Sequence, residues 1–139
     1  MISSEDKFQI QTLLAQASYG YDARDLDLLE SCLTEDAQMS LCIAGGDLVG
    51  PFEGRDNIMQ LYSSSMDAQS DVRKHVVSNI IIDDAESTDT LNVTSILTLF
   101  ATQDGETRLL TVGFYRDQVT QSADGWRISK RHVDLDSAY

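Results

Sequence analysis

Proline, cysteine and basic residues are scarce in this sequence, and each scarcity excludes something. A single proline, Pro51, stands among 139 residues, and no proline-, glycine- or serine-rich run offers a linker. The chain is therefore expected to form one domain over residues 1–139, long enough to bury a hydrophobic core without cross-links. Cys32 and Cys42 belong to no CxxC or Cys/His motif, so they read as small reduced apolar residues rather than a disulfide or metal ligands. No apolar run approaches the roughly 20 residues that a membrane-spanning helix needs. The opening MISSEDKFQI lacks the basic and apolar regions of a secretory signal, so a cytoplasmic location is expected.

Positive charge is also short: 10 basic residues against 23 acidic ones leave a net charge of −13. A field of that sign repels phosphate backbones and anionic lipid surfaces, so neither nucleic acid nor membrane is an expected partner. The one basic grouping, Arg127, Lys130, Arg131 and His132, would be divided between two faces by strand alternation. Also missing are GxSxG, GxGxxG, Walker and HExxH patterns. With two histidines and no close carboxylate cluster, neither a metal nor another cofactor is expected. Any chemistry would be cofactor-free acid–base work.

What is present is amphipathic. Ser3 with Asp6 three residues on is a helix-start signal, and Ile10, Leu13, Leu14, Ala17 and Tyr21 then draw one helical stripe. Asp25 can cap a second helix whose buried side would be Leu26, Leu29 and Leu33. After Asp36 the period changes to two: Ala37, Met39, Leu41 and Ile43 alternate as on a half-buried strand, and Gly45-Gly46-Asp47 supplies a turn. Ile58, Leu61 and Tyr62 predict a third helix near 55–66. The rest reads as strand over 72–82, 90–102, 107–121 and 126–134, with turns at Gln103-Asp104-Gly105 and Ala123-Asp124-Gly125. Helices grouped first and strands grouped last predict an α+β fold with an antiparallel sheet. Such a sheet must twist, and helices on its concave face would leave a cavity at one end.

On the strand containing Arg73 to Asn79, alternation places His75, Val77, Asn79 and Ile81 on one face and Val76, Ser78, Ile80 and Ile82 on the other. Both faces are apolar enough to be covered, and a covered histidine needs a partner. Asp22, directly after the last stripe residue Tyr21, is the natural candidate. A carboxylate bonded to one imidazole nitrogen fixes the tautomer and makes the other nitrogen a better base. The competing account is that Asp22 caps a helix end while His75 is a satisfied core residue. Tyr21 and Tyr115 are candidate phenol donors to an oxyanion, although a strand tyrosine also serves as a simple wall residue. Arg131 and Asp134 are a candidate pair, although alternation sets them on opposite faces. Asp134 or Asp136 is a candidate carboxylate near the cavity.

Several segments carry a resemblance: Tyr21-Asp22-Ala23-Arg24-Asp25, Leu33-Thr34-Glu35-Asp36-Ala37, Gly54-Arg55-Asp56-Asn57-Ile58, Arg73-Lys74-His75-Val76-Val77-Ser78-Asn79, Gly113-Phe114-Tyr115-Arg116-Asp117 and Gly125-Trp126-Arg127-Ile128. In that order they resemble the SnoaL-like branch of the nuclear transport factor 2-like superfamily. The resemblance implies a cone: a strongly curved antiparallel sheet on three helices, with a mostly apolar pocket for a small hydrophobic molecule. It implies a homodimer and, in dehydratase- and dehydrochlorinase-type members, an Asp–His pair that abstracts a proton, here Asp22 and His75. Other members are cyclases and isomerases. The chain is also similar to the small β subunits of ring-hydroxylating dioxygenases, which share the cone, hold no metal and serve chiefly as structural parts of a larger assembly. Fold-level likeness alone does not choose between enzyme and scaffold.

Overall fold

A computed structural model of the chain describes residues 2–84 and 89–139. Three helices and six strands follow in the order α1 (Ser4–Asp22), α2 (Leu26–Ser31), β1 (Leu33–Ile43), β2 (Val49–Glu53), α3 (Arg55–Ala68), β3 (Val72–Asp83), β4 (Thr90–Gln103), β5 (Glu106–Ser122) and β6 (Gly125–Leu135). The strands form one sheet in the order β2-β1-β6-β5-β4-β3. Every neighbouring pair is antiparallel except β1 and β6, which run parallel. The fold is thus the expected α+β arrangement, with one parallel seam where the first long strand meets the last.

The first helix forms for the reasons its sequence suggests. Ser3 Oγ accepts the Asp6 amide while the Asp6 carboxylate accepts the Ser3 amide, a reciprocal cap that satisfies two helix-end donors. The stripe Ile10, Leu13, Leu14 and Ala17 is buried. Asp25 caps α2 by accepting the Leu28 amide at 3.1 Å. Its buried side is Leu29 alone, because Leu26 stays exposed and the chain leaves the helix after Ser31, making Leu33 the first residue of β1. The helices approach closely at Gly20, where a Cβ would lie 3.1 Å from the Leu29 amide nitrogen.

The strand β2 has no counterpart in the sequence reading. Its single proline masks it, since Pro51 cannot donate to a ladder; β2 accommodates it because it is an edge strand. Bulges bend the sheet at several points. In β3 the pairing shifts between Ser78 and Ile81, and Asn79 takes a φ of +53°, a conformation that asparagine tolerates better than most side chains. The extra residue reverses the alternation. His75 and Val77 share the inner face with Ile80 and Ile82, while Asn79 and Ile81 turn outward, contrary to the simple alternation above. The outer face of β3 is also less covered than expected, with Val72, Val76 and Ile81 exposed.

A second bulge, at Ser129 in β6, does the same: Val119 pairs with Ile128, but Gln118 pairs with Lys130. Trp126, Ile128, Arg131, Val133 and Leu135 therefore face inward, and Arg127, Lys130, His132 and Asp134 lie on the more exposed outer side. The helices cover the inner face at one end, where Ile10, Leu14, Ile58, Trp126 and Ile128 form the main core. Full burial of each of the aliphatic residues stabilises the fold by about 1.5–3 kcal/mol. A smaller cluster of Leu97, Tyr115, Val133 and Leu135 lies on the same side, and a cavity opens against it.

Candidate active site

The cavity occupies about 220 Å³ between α1, α3 and the inner face of the sheet. Leu97, Leu99, Val133 and Leu135 make much of its wall apolar, and polar groups enter from Ser18, Tyr21, Tyr62, His75, Tyr115 and Arg131. A pocket with an apolar lining and a few convergent polar groups is the usual form of a small-molecule site.

Topology creates the partner for His75. The strand β3 is the sheet's other edge, paired only with β4. An edge strand carries backbone amides with no ladder partner, and such groups must be satisfied when buried. The last residue of α1 supplies the acceptor: Asp22 Oδ2 takes the His75 amide at 2.7 Å. The other oxygen, Oδ1, meets His75 Nδ1 at 2.5 Å. Both side chains are largely buried, with 13% of the histidine and 10% of the aspartate exposed. A carboxylate acceptor requires Nδ1 to carry the proton, which leaves Nε2 with its lone pair in the neutral ring. No described residue hydrogen-bonds Nε2, and His75 lines the cavity. Asp22 itself does not line that cavity. It lies behind the histidine, in a separate cleft with Arg24, Asp71 and Arg73.

The tyrosines surround this pair. The Tyr21 ring stands edge-on to His75 at 4.8 Å between centroids, and to Tyr62 at 5.6 Å. The Tyr21 hydroxyl accepts from Gln69 Nε2 at 2.6 Å, so its own proton stays free to donate. Burial pushes the Tyr21 phenol up, with Gln69 opposing. Burial also raises Tyr62, against an opposing pull from Arg131, and it raises Tyr115 well above the usual phenol range. These phenols are accordingly held in their protonated, donating form.

Sequence reasoning missed the cation at the cavity wall. Arg131 grips Asp117 through Nε and one terminal nitrogen, both at 2.9 Å, in a buried pair. Its guanidinium carbon lies 3.9 Å from the Tyr115 ring centroid. Burial opposes the charge, yet Asp117 outweighs it and holds Arg131 above the ordinary guanidinium value. The candidate pairing of Arg131 with Asp134 does not form, and the two lie on opposite faces as alternation indicates. The Ser129 bulge decides which of the two faces inward: Arg131 meets the cavity, while Asp134 stays outside with Arg116 at 2.8 Å and His132 at 2.9 Å. Neither Asp134 nor Asp136 lines the cavity. Tyr62 and Ser18 were also missed as site residues; Tyr62 was legible only as part of a helical stripe. The buried Ser18 Oγ has no partner among the described residues and lines the cavity wall.

Around the cavity no three chelating side chains converge among the described residues; the group that does is on the outer face. No helix there is long and apolar enough to cross a membrane.

Comparison with known proteins agrees with this architecture. Among curated proteins, none matches the chain in sequence. Solved structures share its fold at low identity. Aln2 from a Streptomyces species superposes with a TM-score of 0.81 at 17% identity, covering 98% of this chain and 94% of that one. The β subunit of a putative aromatic-ring-hydroxylating dioxygenase from Novosphingobium aromaticivorans gives 0.79 at 18% identity, covering 94% and 88%. ActVI-ORFA from Streptomyces coelicolor gives 0.78 at 16%, covering 94% and 97%. The sequence profile of the SnoaL-like domain matches residues 3–132, and the chain belongs to that family.

Proposed function

We propose that this chain is a cofactor-independent acid–base enzyme, a lyase of the dehydratase kind or an isomerase or cyclase, working as one SnoaL-like domain over residues 1–139 on a small hydrophobic cyclic or aromatic substrate. The observation that carries the reading is His75 set between a buried carboxylate and an apolar cavity. In this scheme Nε2 takes a proton from a substrate carbon next to a carbonyl. The electron pair moves onto the carbonyl oxygen, and Asp22 stabilises the imidazolium that forms. The oxyanion is met by Tyr21 or Tyr115, with Tyr62, Ser18 and Arg131 within the same cavity wall. From that enolate the chain can expel a β-leaving group, return the proton elsewhere or close a ring. All three outcomes share the first step.

That shared step is the experiment. In deuterated buffer, wild-type protein is expected to accelerate exchange of the α-protons of 2-tetralone, read by proton NMR. Removing a positioned base costs roughly 10²–10⁴ in rate, so His75→Ala should lose the acceleration to that extent, and Asp22→Asn should lose much of it while keeping the native circular dichroism. Equal exchange by wild type and His75→Ala would remove His75 from the mechanism.

A second reading rests on the shared fold of the dioxygenase β subunit: a scaffold with a satisfied histidine and no chemistry. Co-purification with a larger iron-containing chain would favour it. A stand-alone homodimer with exchange activity would count against it.

A further inference from the structure

The parallel seam between β1 and β6 brings together residues that lie 90 positions or more apart in the chain. Ser40 stands opposite His132, and Cys42 stands opposite Asp134. All four belong to the outer side of the sheet, since their neighbours Met39, Leu41, Val133 and Leu135 line the inner cavity. Cys42 is a free, partly exposed thiol. One potential ligand atom from each of Cys42, His132 and Asp134 lies within 4.8 Å of the others.

We infer that Cys42, His132 and Asp134 form a binding site for a zinc-type divalent ion on the outer face of the sheet, separate from the cavity. Thiolate, imidazole and carboxylate are the ligand types that zinc takes in tetrahedral sites, at roughly 2.0–2.3 Å from the ion. Such bond lengths put ligand atoms somewhat under 4 Å apart, so small side-chain rotations close the set.

The second atom of two ligands is already held. His132 Nδ1 is 2.7 Å from Ser40 Oγ, and Asp134 Oδ2 accepts from Arg116 Nε at 2.8 Å. His132 Nε2 and Asp134 Oδ1 face each other at 2.9 Å, so without an ion Nε2 donates to the carboxylate, and a bound cation would take the place of that proton. Support of this kind behind a metal ligand orients it, and the Ser40 hydroxyl, which can donate or accept, serves either tautomer of the ring. On binding, the neutral imidazole carries its proton on Nδ1, which donates to Ser40. The Cys42 thiol gives its proton to solvent, and the fourth position faces water. Arg116 lies nearby but is engaged on the far oxygen of Asp134. The chain's net charge of −13 draws cations to it.

The test uses reduced, tag-free full chain titrated with Co²⁺ and then with Zn²⁺. One equivalent of Co²⁺ is expected to give tetrahedral visible bands and a thiolate-to-cobalt charge-transfer band, both abolished by excess zinc. Cys42→Ser should lose the charge-transfer band. Cys42→Ser, His132→Gln and Asp134→Asn should each weaken zinc binding at least about tenfold by calorimetry, and Ser40→Ala should weaken it by about tenfold through loss of the supporting bond. His75→Ala should bind as wild type does, which separates this site from the cavity. Circular dichroism checks that each variant is folded. No charge-transfer band in the wild type, or zinc affinity unchanged in Cys42→Ser, would overturn the assignment.

Discussion

At His75, one carboxylate answers two needs: it satisfies an edge-strand amide and it fixes the ring. The first need is structural and would exist without any chemistry, which is why Asp22 next to His75 is compatible with enzyme and scaffold alike. What leans toward chemistry is that Nε2 has no partner among the described residues and that His75 lines the cavity. Arg131 and Asp117 contrast with this pair because both are charged groups with almost no exposure to water. Asp117→Asn would leave a buried guanidinium without its counter-charge, and such losses cost about 3–5 kcal/mol. Urea unfolding is expected to show a drop of that order, largely restored in Asp117→Asn combined with Arg131→Met. A drop under about 1 kcal/mol would mean that water reaches the pair.

At the scale of elements, the bulges decide which residues meet. The strands β3 to β6 begin and end within about a residue of where their β-branched runs and hairpin turns place them, because those signals are local. Faces are another matter. An extra residue leaves the apolar count of a strand unchanged, so periodicity cannot show that Asn79 and Ser129 reverse the alternation. This is why simple alternation groups Ile81 with His75, and why it leaves the partner of Arg131 hidden. The Asn79 bulge can be tested directly. At a φ of +53°, Asn79→Val should lose about 1–2 kcal/mol and raise the exposure of His75, whereas Asn79→Gly should be near neutral. Equal stability of the two variants by chemical denaturation would show that the bulge relaxes at little cost. The strand β2 stayed hidden for a related reason: Pro51 argues against a ladder unless the strand is known to be an edge, and edges are set by topology.

At the scale of the whole molecule, long-range pairing was the least legible feature. Nothing local indicates that β1 pairs in parallel with β6, and that seam is what gathers Ser40, Cys42, His132 and Asp134. The Asp22–His75 contact was legible because a helix stripe ends beside Asp22 and because the segment order resembles a family; neither signal reaches Tyr62 or Ser18.

Charge also acts on the whole. Self-repulsion from a net charge of −13 weakens the compact state at neutral pH and above, and relaxes on mild acidification. Opposing it, Asp6 is held below the usual carboxylate value first by Trp126, and Asp134 first by Arg116. For a depressed folded value, the associated stability is fully present above the unfolded carboxylate value of roughly 3.9 and is lost as pH falls through the folded one. The melting temperature should therefore rise from about pH 8 to about pH 5 and fall steeply below roughly pH 4. The acid fall should be shallower in Asp6→Asn. A melting temperature that climbs steadily with pH would contradict this balance.

The central claim is that Asp22 holds His75 with an unprotonated Nε2 toward the cavity, and nitrogen NMR reads it without knowledge of the substrate. In ¹⁵N-labelled protein at about pH 9, where an ordinary imidazole is neutral, the His75 ring should show a protonated Nδ1 and a lone-pair Nε2. The Asp22→Asn variant should shift the ring toward the other tautomer. A wild-type His75 carrying its proton on Nε2, or a tautomer indifferent to Asp22→Asn, would contradict the account.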